Sequence, residues 1–354
     1  MTPREIHAAP APETHRPYLA AADRYENTAY RQVGGSGLYL PPLSLGLWWN
    51  FGDNRTFDSQ REILRHAFDH GITHFDLANN YGPPFGSAEE NFGRMLRGDF
   101  KPYRDELIVS SKAGWEMYPG PYGVGSSRKY VLASAEASLT RLGLDYVDLF
   151  YSHRYDENVP VAETIGALDT LVRQGKALYV GISSYSPERT AEAVQVARSL
   201  GTPLVIHQPA YSLLNRWVED GLTEVLDRTG LGSIAFTPLA QGLLTDKYLG
   251  DRDAVPAGGR ASVQSHITEE NLAKARALNE IARERGQSLA RMSIAWLLHR
   301  GVSSVLIGAS STAQLDDNLG ATANRDFSAE ELAAIDRITT GDADINLWAV
   351  SSEA

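Results

Sequence analysis

Short apolar, β-branched runs alternate along this chain with longer stretches whose apolar residues recur every three or four positions. Runs at 43–48, 73–77, 107–111, 147–152, 177–182, 204–207, 233–237 and 304–307 predict eight strands. Helical spacing falls between them, at 59–70, 87–96, 128–142, 161–174, 187–200, 221–229 and 289–300. Asp58 and Ser186 stand where N-caps belong, and Gly71, Gly175 and Gly201 where helices end. Regular strand–helix alternation forces parallel strands. Eight of them predict an α/β fold, a (β/α)8 TIM barrel in preference to an open doubly wound sheet. The interval between the last two strands is the longest, with room for a covering loop and an extra helix.

Ahead of the first barrel strand, residues 30–39 read as a hairpin turning at Gly34, Gly35, Ser36 and Gly37 and capping the barrel bottom. The glycines resemble a phosphate loop only superficially. They lead into Leu38, Tyr39, Leu40, Pro41 and Pro42, so no helix N-terminus is available to hold a pyrophosphate.

Composition narrows the class. At 354 residues, 43% of them hydrophobic, the chain is of a size for one barrel domain, assigned here to 25–354. Residues 1–24, rich in Ala, Pro and Glu and without a period, are expected to form a flexible arm. A net charge of -11 and the lack of a basic run argue against nucleic acid as a partner. The absence of cysteine excludes disulfides, thiolate nucleophiles and Cys-ligated zinc. With no export signal and no apolar stretch near the roughly 18 residues of a bilayer span, the expectation is a cytoplasmic protein without a membrane partner.

In a barrel of this kind, chemistry gathers at the C-terminal strand ends. The second strand runs into THFDLANNYG, which brings Asp76 and Tyr81 to the mouth. IVSSK brings Lys112 there, and LFYSHR brings His153. A phenol, an ammonium, a carboxylate and an imidazole on adjacent strands suit proton donation. A free phenol has a pKa of about 10, and a nearby Lys112 ammonium is expected to lower that of Tyr81. Asp76 would hold Lys112 charged, and His153 would orient a carbonyl oxygen. A metal-dependent hydrolase using His153, His207 and Asp76 is the poorer reading, because the strand ends offer no compact cluster of histidines and carboxylates.

Asp76, Tyr81, Lys112 and His153 resemble the catalytic tetrad of the aldo-keto reductases. The similarity extends through GLWWNFG, GISSYSPERT, HQPAYSLLNRW, FTPLAQGLLTDKY, IGASSTAQLDDN and INLWAVSS. Within that family the segments look most like the branch that reduces L-glyceraldehyde 3-phosphate, a neighbour of the potassium-channel beta subunits. The resemblance implies NADPH-dependent reduction of small aldehydes or ketones to alcohols, with Tyr81 as general acid.

It also implies a cofactor set. Ser183, Ser184 and Gln208, with Asp76, would meet the nicotinamide carboxamide, and Phe236 would stack on its ring, near Trp48. Thr237, Pro238, Leu239, Gln241, Gly242 and Lys247 would follow the pyrophosphate. Arg260, Gly308, Ser310, Gln314, Asp317 and Asn318 would take the adenosine end. Ser184, Ser311 and Asp317 depart from the residues usual in relatives, and the Ser311 change weakens the preference of Lys247 and Arg260 for a 2′-phosphate.

Trp48, Trp49, Trp115 and Tyr118, with Tyr81 and His153, would line the substrate end, where Arg154 or Arg216 would meet a phosphate. L-glyceraldehyde 3-phosphate, methylglyoxal and similar dicarbonyls all remain open as substrates. A regulatory subunit that keeps the cofactor is the alternative, and His153 speaks against it because those relatives generally carry Asn there. Homo-oligomerisation is expected from the resemblance alone, and the apolar INLWAVSS is expected near the mouth or an assembly contact.

Overall fold

The computed structural model describes residues 17–249 and 266–340. Two short strands, β1 (Arg31–Gln32) and β2 (Tyr39–Leu40), form the antiparallel hairpin. Eight parallel strands then close into a barrel. They are β3 (Leu43–Gly46), β4 (His74–Asp76), β5 (Ile108–Ala113), β6 (Val147–Ser152), β7 (Ala177–Ser183), β8 (Leu204–Gln208), β9 (Gly232–Ala235) and β10 (Ser304–Ile307), with β10 pairing back onto β3. The predicted (β/α)8 barrel and its bottom-capping hairpin are therefore the observed architecture.

Six helices cover the first part of the barrel: α1 (Phe57–Asp69), α2 (Ser87–Arg97), α3 (Arg128–Leu142), α4 (Val161–Arg173), α5 (Pro187–Leu200) and α6 (Leu222–Thr229). The extra helix of the long interval is α7 (Glu269–Glu284), followed by α8 (Leu289–His299). Two further helices, α9 (Thr312–Leu319) and α10 (Ala329–Thr339), lie beyond the last strand and were not predicted. Ser186 caps α5 as expected, its side chain accepting from the Arg189 amide. At α1 the expectation of Asp58 is corrected to Thr56, whose hydroxyl accepts from the Ser59 amide. Asp58 sits instead in the first turn, where a carboxylate also suits the helix dipole.

Alternation along each strand separates two apolar layers. Phe75, Val109 and Phe150 face the helices, whereas Leu149, Tyr151, Ile206, Ile234 and Leu306 fill the barrel. Val33, Leu38 and Leu40 of the hairpin join that inner cluster, so the hairpin plugs the bottom. The plug depends on Gly34. It has φ +52°, and a Cβ there would come within 2.1 Å of the Gly230 carbonyl. Part of the proposed arm is packed as well: the Tyr18 hydroxyl donates to Asp69 at 2.6 Å, and Arg24 pairs with Glu106 at 2.5 Å.

Two histidines of the barrel wall, His74 and His207, are fully buried, and burial lowers their pKa values from 6.5 to about 4 and about 3. Both are neutral when folded, while the unfolded chain takes up protons near the ordinary value. Stability should thus be complete above about pH 7 and decline as pH falls below about 6.5, by about 2 kcal/mol per histidine at pH 5. Urea-denaturation midpoints at pH 7.5 and pH 5 will test this. His207→Gln should reduce the difference between them, and an unchanged difference would remove His207 as a contributor.

Candidate active site

Carrying the alternation to the upper rim of the barrel gives one inward residue per strand or strand extension. Trp48, Asp76, Lys112, His153, Ser183, Gln208, Phe236 and Gly308 occupy those positions in chain order. All but Lys112 line a cavity of about 680 Å³, and Lys112 lies buried beneath it. Tyr81 reaches the same cavity from the loop after β4.

The polar floor is organised around a buried ion pair. Lys112 Nζ lies 2.5 Å from Asp76 Oδ2, and donates also to the Leu77 carbonyl at 2.7 Å and to Tyr81 Oη at 3.3 Å. Burial pulls the Lys112 pKa down, but the Asp76 carboxylate and then the Tyr81 oxygen outweigh it, and the net direction is upward. The ammonium is secure. For Tyr81 the sequence expectation is corrected: burial raises its pKa above the ordinary phenol value, and although Lys112 pulls it down, the net direction is upward. The phenol is thus a protonated donor at neutral pH, and Lys112 limits the rise.

His153 stands beside it, its ring 5.8 Å from the Tyr81 ring and edge-on. Burial, with the charges of Lys112 and Arg154, holds its pKa well below 6.5, so the imidazole is neutral. Its Nδ1 is buried without a hydrogen-bond partner among the described residues.

Beneath the ion pair runs a chain of buried hydrogen bonds. Ser110 Oγ donates to Asp76 Oδ1 at 2.6 Å, and His74 Nε2 is 3.0 Å from Ser110 Oγ. His74 Nδ1 lies 2.8 Å from Ser44 Oγ, which is 2.7 Å from Ser304 Oγ. The directions follow from the carboxylate, which only accepts. With its one proton given to Asp76, Ser110 must accept from His74 Nε2–H. A neutral His74 then accepts at Nδ1 from Ser44, which accepts in turn from Ser304. From Ser44 to Ser110 every donor points toward Asp76, while the single Ser304 proton is shared between Ser44 and the Pro42 carbonyl at 3.3 Å. Both Ser110 and His74 were absent from the sequence reading, although each lies two residues before a selected one on the same strand face, and that period-2 signal would have found them.

The upper wall is polar and aromatic. Ser183 Oγ donates to the Gln208 carbonyl at 2.8 Å, and Gln208 Nε2 donates to Asp76 Oδ1 at 3.3 Å. The non-glycine residues with positive φ among the described residues are Ser184, Thr237, Ala240 and Gln241, all on the loops after β7 and β9. Such strain gathers at ligand-binding loops because the surrounding structure must hold it. Trp49, Trp115, Pro238, Leu239, Gly242, Lys247 and Gln314 also line the cavity as expected.

Other expected residues stand apart from it. Ser310 and Asn318 are outside the lining, although the Ser310 hydroxyl and amide both donate to the Gln314 carboxamide. Asp317 is held by Arg291 at 2.8 Å and Ser288 at 3.2 Å. Ser311 serves as the N-cap of α9. Arg154 stacks on the Trp115 ring at 4.4 Å and lies just outside the lining. Arg216 is corrected: it is buried in ion pairs with Glu219 and Asp336 and packs on Trp296, so it cannot meet a phosphate at the mouth. Tyr118 is exposed outside the lining. Arg260 and INLWAVSS lie outside the described residues. Asn50, Asn80, Phe85, Glu116, Thr245 and Tyr248 also line the cavity; Asn50, Asn80, Thr245 and Tyr248 lie within the GLWWNFG, THFDLANNYG and FTPLAQGLLTDKY segments, which was the signal that could have found them.

Over residues 42–340 the sequence matches the Aldo/keto reductase family. The chain belongs to that family. It is 58% identical over 347 residues to the L-glyceraldehyde 3-phosphate reductase of Escherichia coli (strain K12), covering 95% of this chain and 99% of that protein. A probable voltage-gated potassium channel subunit beta of Arabidopsis thaliana is 34% identical over 302 residues, 82% of this chain and 90% of that protein. One of Oryza sativa subsp. japonica is 35% identical over the same length. The resemblance to the aldo-keto reductases and their glyceraldehyde-phosphate branch is thus shown at the level of the whole chain.

The donor chain can be tested directly. His74 should show the Nε2–H tautomer in ¹⁵N-edited NMR at pH 7, and Ser110→Ala should weaken the hold on Asp76 by about 1–3 kcal/mol of stability. A His74 tautomer protonated on Nδ1 would reverse the assigned direction.

Proposed function

We propose that this protein is an NADPH-dependent reductase of small aldehydes and ketones, with Tyr81 as the proton donor. The observation that carries the reading is the Asp76–Lys112–Tyr81 line beside a neutral His153 at the floor of the cavity. The residues present fit a nicotinamide dinucleotide. Ser183, Ser184 and Gln208 offer hydrogen-bonding groups of the kind a carboxamide needs beside the flat face of Phe236, and the strained loop at Thr237–Gly242 runs along the same cavity toward Gln314. Lys247 and Arg260 favour the 2′-phosphate of NADPH. When bound, this cofactor supplies the hydride.

The chain's own residues supply the rest. Tyr81 Oη gives its proton to the carbonyl oxygen as that oxygen gains charge, and the Lys112 ammonium stabilises the phenolate left behind. Asp76 keeps Lys112 charged through the turnover, and Ser110 with His74 positions Asp76. Neutral His153 holds the carbonyl oxygen in line with Tyr81. Trp48, Trp49 and Trp115 exclude water from the substrate end. The coverage and identity shared with the Escherichia coli reductase support L-glyceraldehyde 3-phosphate or a similar small carbonyl, methylglyoxal included, as substrate. They also favour a catalyst over a regulatory subunit of the channel type.

Tyr81→Phe should lower kcat for NADPH-dependent reduction by at least about 100-fold, the size of one general-acid contribution, while dinucleotide affinity by fluorescence titration changes little. Activity near the wild-type level would exclude Tyr81 as the donor. Arg154, poised on Trp115, is the phosphate reader under this proposal. Arg154→Ala should raise KM for glyceraldehyde 3-phosphate about tenfold more than for methylglyoxal, the discrimination of one charge-assisted contact, and equal changes would remove that role.

A further inference from the structure

On the outer surface, away from the cavity, α1 and α9 bring together His66, His70 and Asp316. One ligand atom from each lies within 4.8 Å of the others. His66 lies in the last turn of α1 and His70 is its C-cap four residues on, and their rings meet with centroids 4.2 Å apart. Asp316 approaches from the neighbouring helix, its Oδ1 at 2.6 Å from His66 Nε2.

The tautomers are set by the same surroundings. His70 Nδ1 is 2.8 Å from the His66 carbonyl, which only accepts, so the His70 proton sits on Nδ1 and the lone pair of the neutral ring is on Nε2. An imidazole that gives one N–H to a backbone carbonyl is the usual arrangement of a metal-bound histidine, because that bond fixes the ring and raises its basicity. The other two groups share a hydrogen bond that a cation can replace. The backbones that carry them are anchored: Ala67 and Phe68 of α1 and Leu315 of α9 are buried in the core beside the three ligands.

We propose that His66, His70 and Asp316 form a surface site for a divalent transition metal of the zinc class, with water completing the coordination. Two imidazoles and one carboxylate match the donor preference of Zn²⁺, Ni²⁺ and Cu²⁺ and are poor ligands for Mg²⁺ or Ca²⁺, which require oxygen shells. On binding, the metal takes the position of the hydrogen between His66 Nε2 and Asp316 Oδ1, with the neutral imidazole keeping its one proton on Nδ1 and any second proton leaving to solvent. The ion then ties α1 to α9. The site is independent of the reductase reading, since none of its three residues lines the cavity.

The test uses the full chain and three metals. Isothermal titration with ZnCl2 should give one saturable site, and His70→Ala and Asp316→Asn should each weaken it at least about tenfold. Thermal midpoints without metal should match the wild type, because His70 and Asp316 are exposed. With CuCl2, electron paramagnetic resonance of the wild type should show coupling to two imidazole nitrogens, and MgCl2 should give no heat. Absence of saturable Zn²⁺ binding, or binding unchanged in both variants, would overturn the proposal. The second result would place the metal on other histidines of the chain.

Discussion

The ion pair between Asp76 and Lys112 is the constraint on which the site depends. Neither residue has solvent access, and a lone charge at that depth would be driven to neutrality or would destabilise the fold. The pair is tolerable because the barrel supplies every remaining bond. Ser110 and Gln208 donate to one carboxylate oxygen and Lys112 to the other, while the Leu77 carbonyl and Tyr81 hydroxyl take the rest of the ammonium. Removing β4, β5 or β8 from the closed ring would leave part of this set unsatisfied. Closure of the barrel and charge at its mouth are therefore one problem with one solution.

The balance at Tyr81 shows how magnitudes decide chemistry. Burial and the Asp76 charge both raise the phenol pKa, and Lys112 alone opposes them. A wetter site would give Lys112 less influence, because its field would be screened. A drier one without Lys112 would make the phenolate inaccessible. The neutral state of His153 belongs to the same field, for burial and the nearby cations exclude a further positive charge. A donor that holds its proton, beside an imidazole that adds no charge, is an arrangement suited to protonating an oxygen whose negative charge is only transient.

Much of this was legible in the sequence because barrel strands obey two simple rules. Strand–helix alternation told where the strands end, and the C-terminal rule told that the residues there and on the loops that follow meet at the mouth. Asp76, Tyr81, Lys112 and His153 could be named on that ground. Failures came where the competing interaction was invisible in one dimension. Arg216 reads as an available cation until Glu219 and Asp336, the latter from α10, are seen to enclose it. Asp58 reads as a cap until Thr56 is found to reach the first free amide.

By itself the sequence determined the barrel, its hairpin plug and the strand-end residues Asp76, Lys112 and His153, since these follow from local periodicity and turn chemistry, whereas the rest of the rim came from resemblance to the aldo-keto reductases. Tertiary structure alone decided protonation. Whether Tyr81 lies above or below an ordinary phenol, which tautomer His74 adopts, and whether Arg154 or Arg216 remains available to a ligand all depend on desolvation and on partners distant in the chain. Electrostatic energies are set by distance and dielectric, and neither quantity exists until the strands have closed.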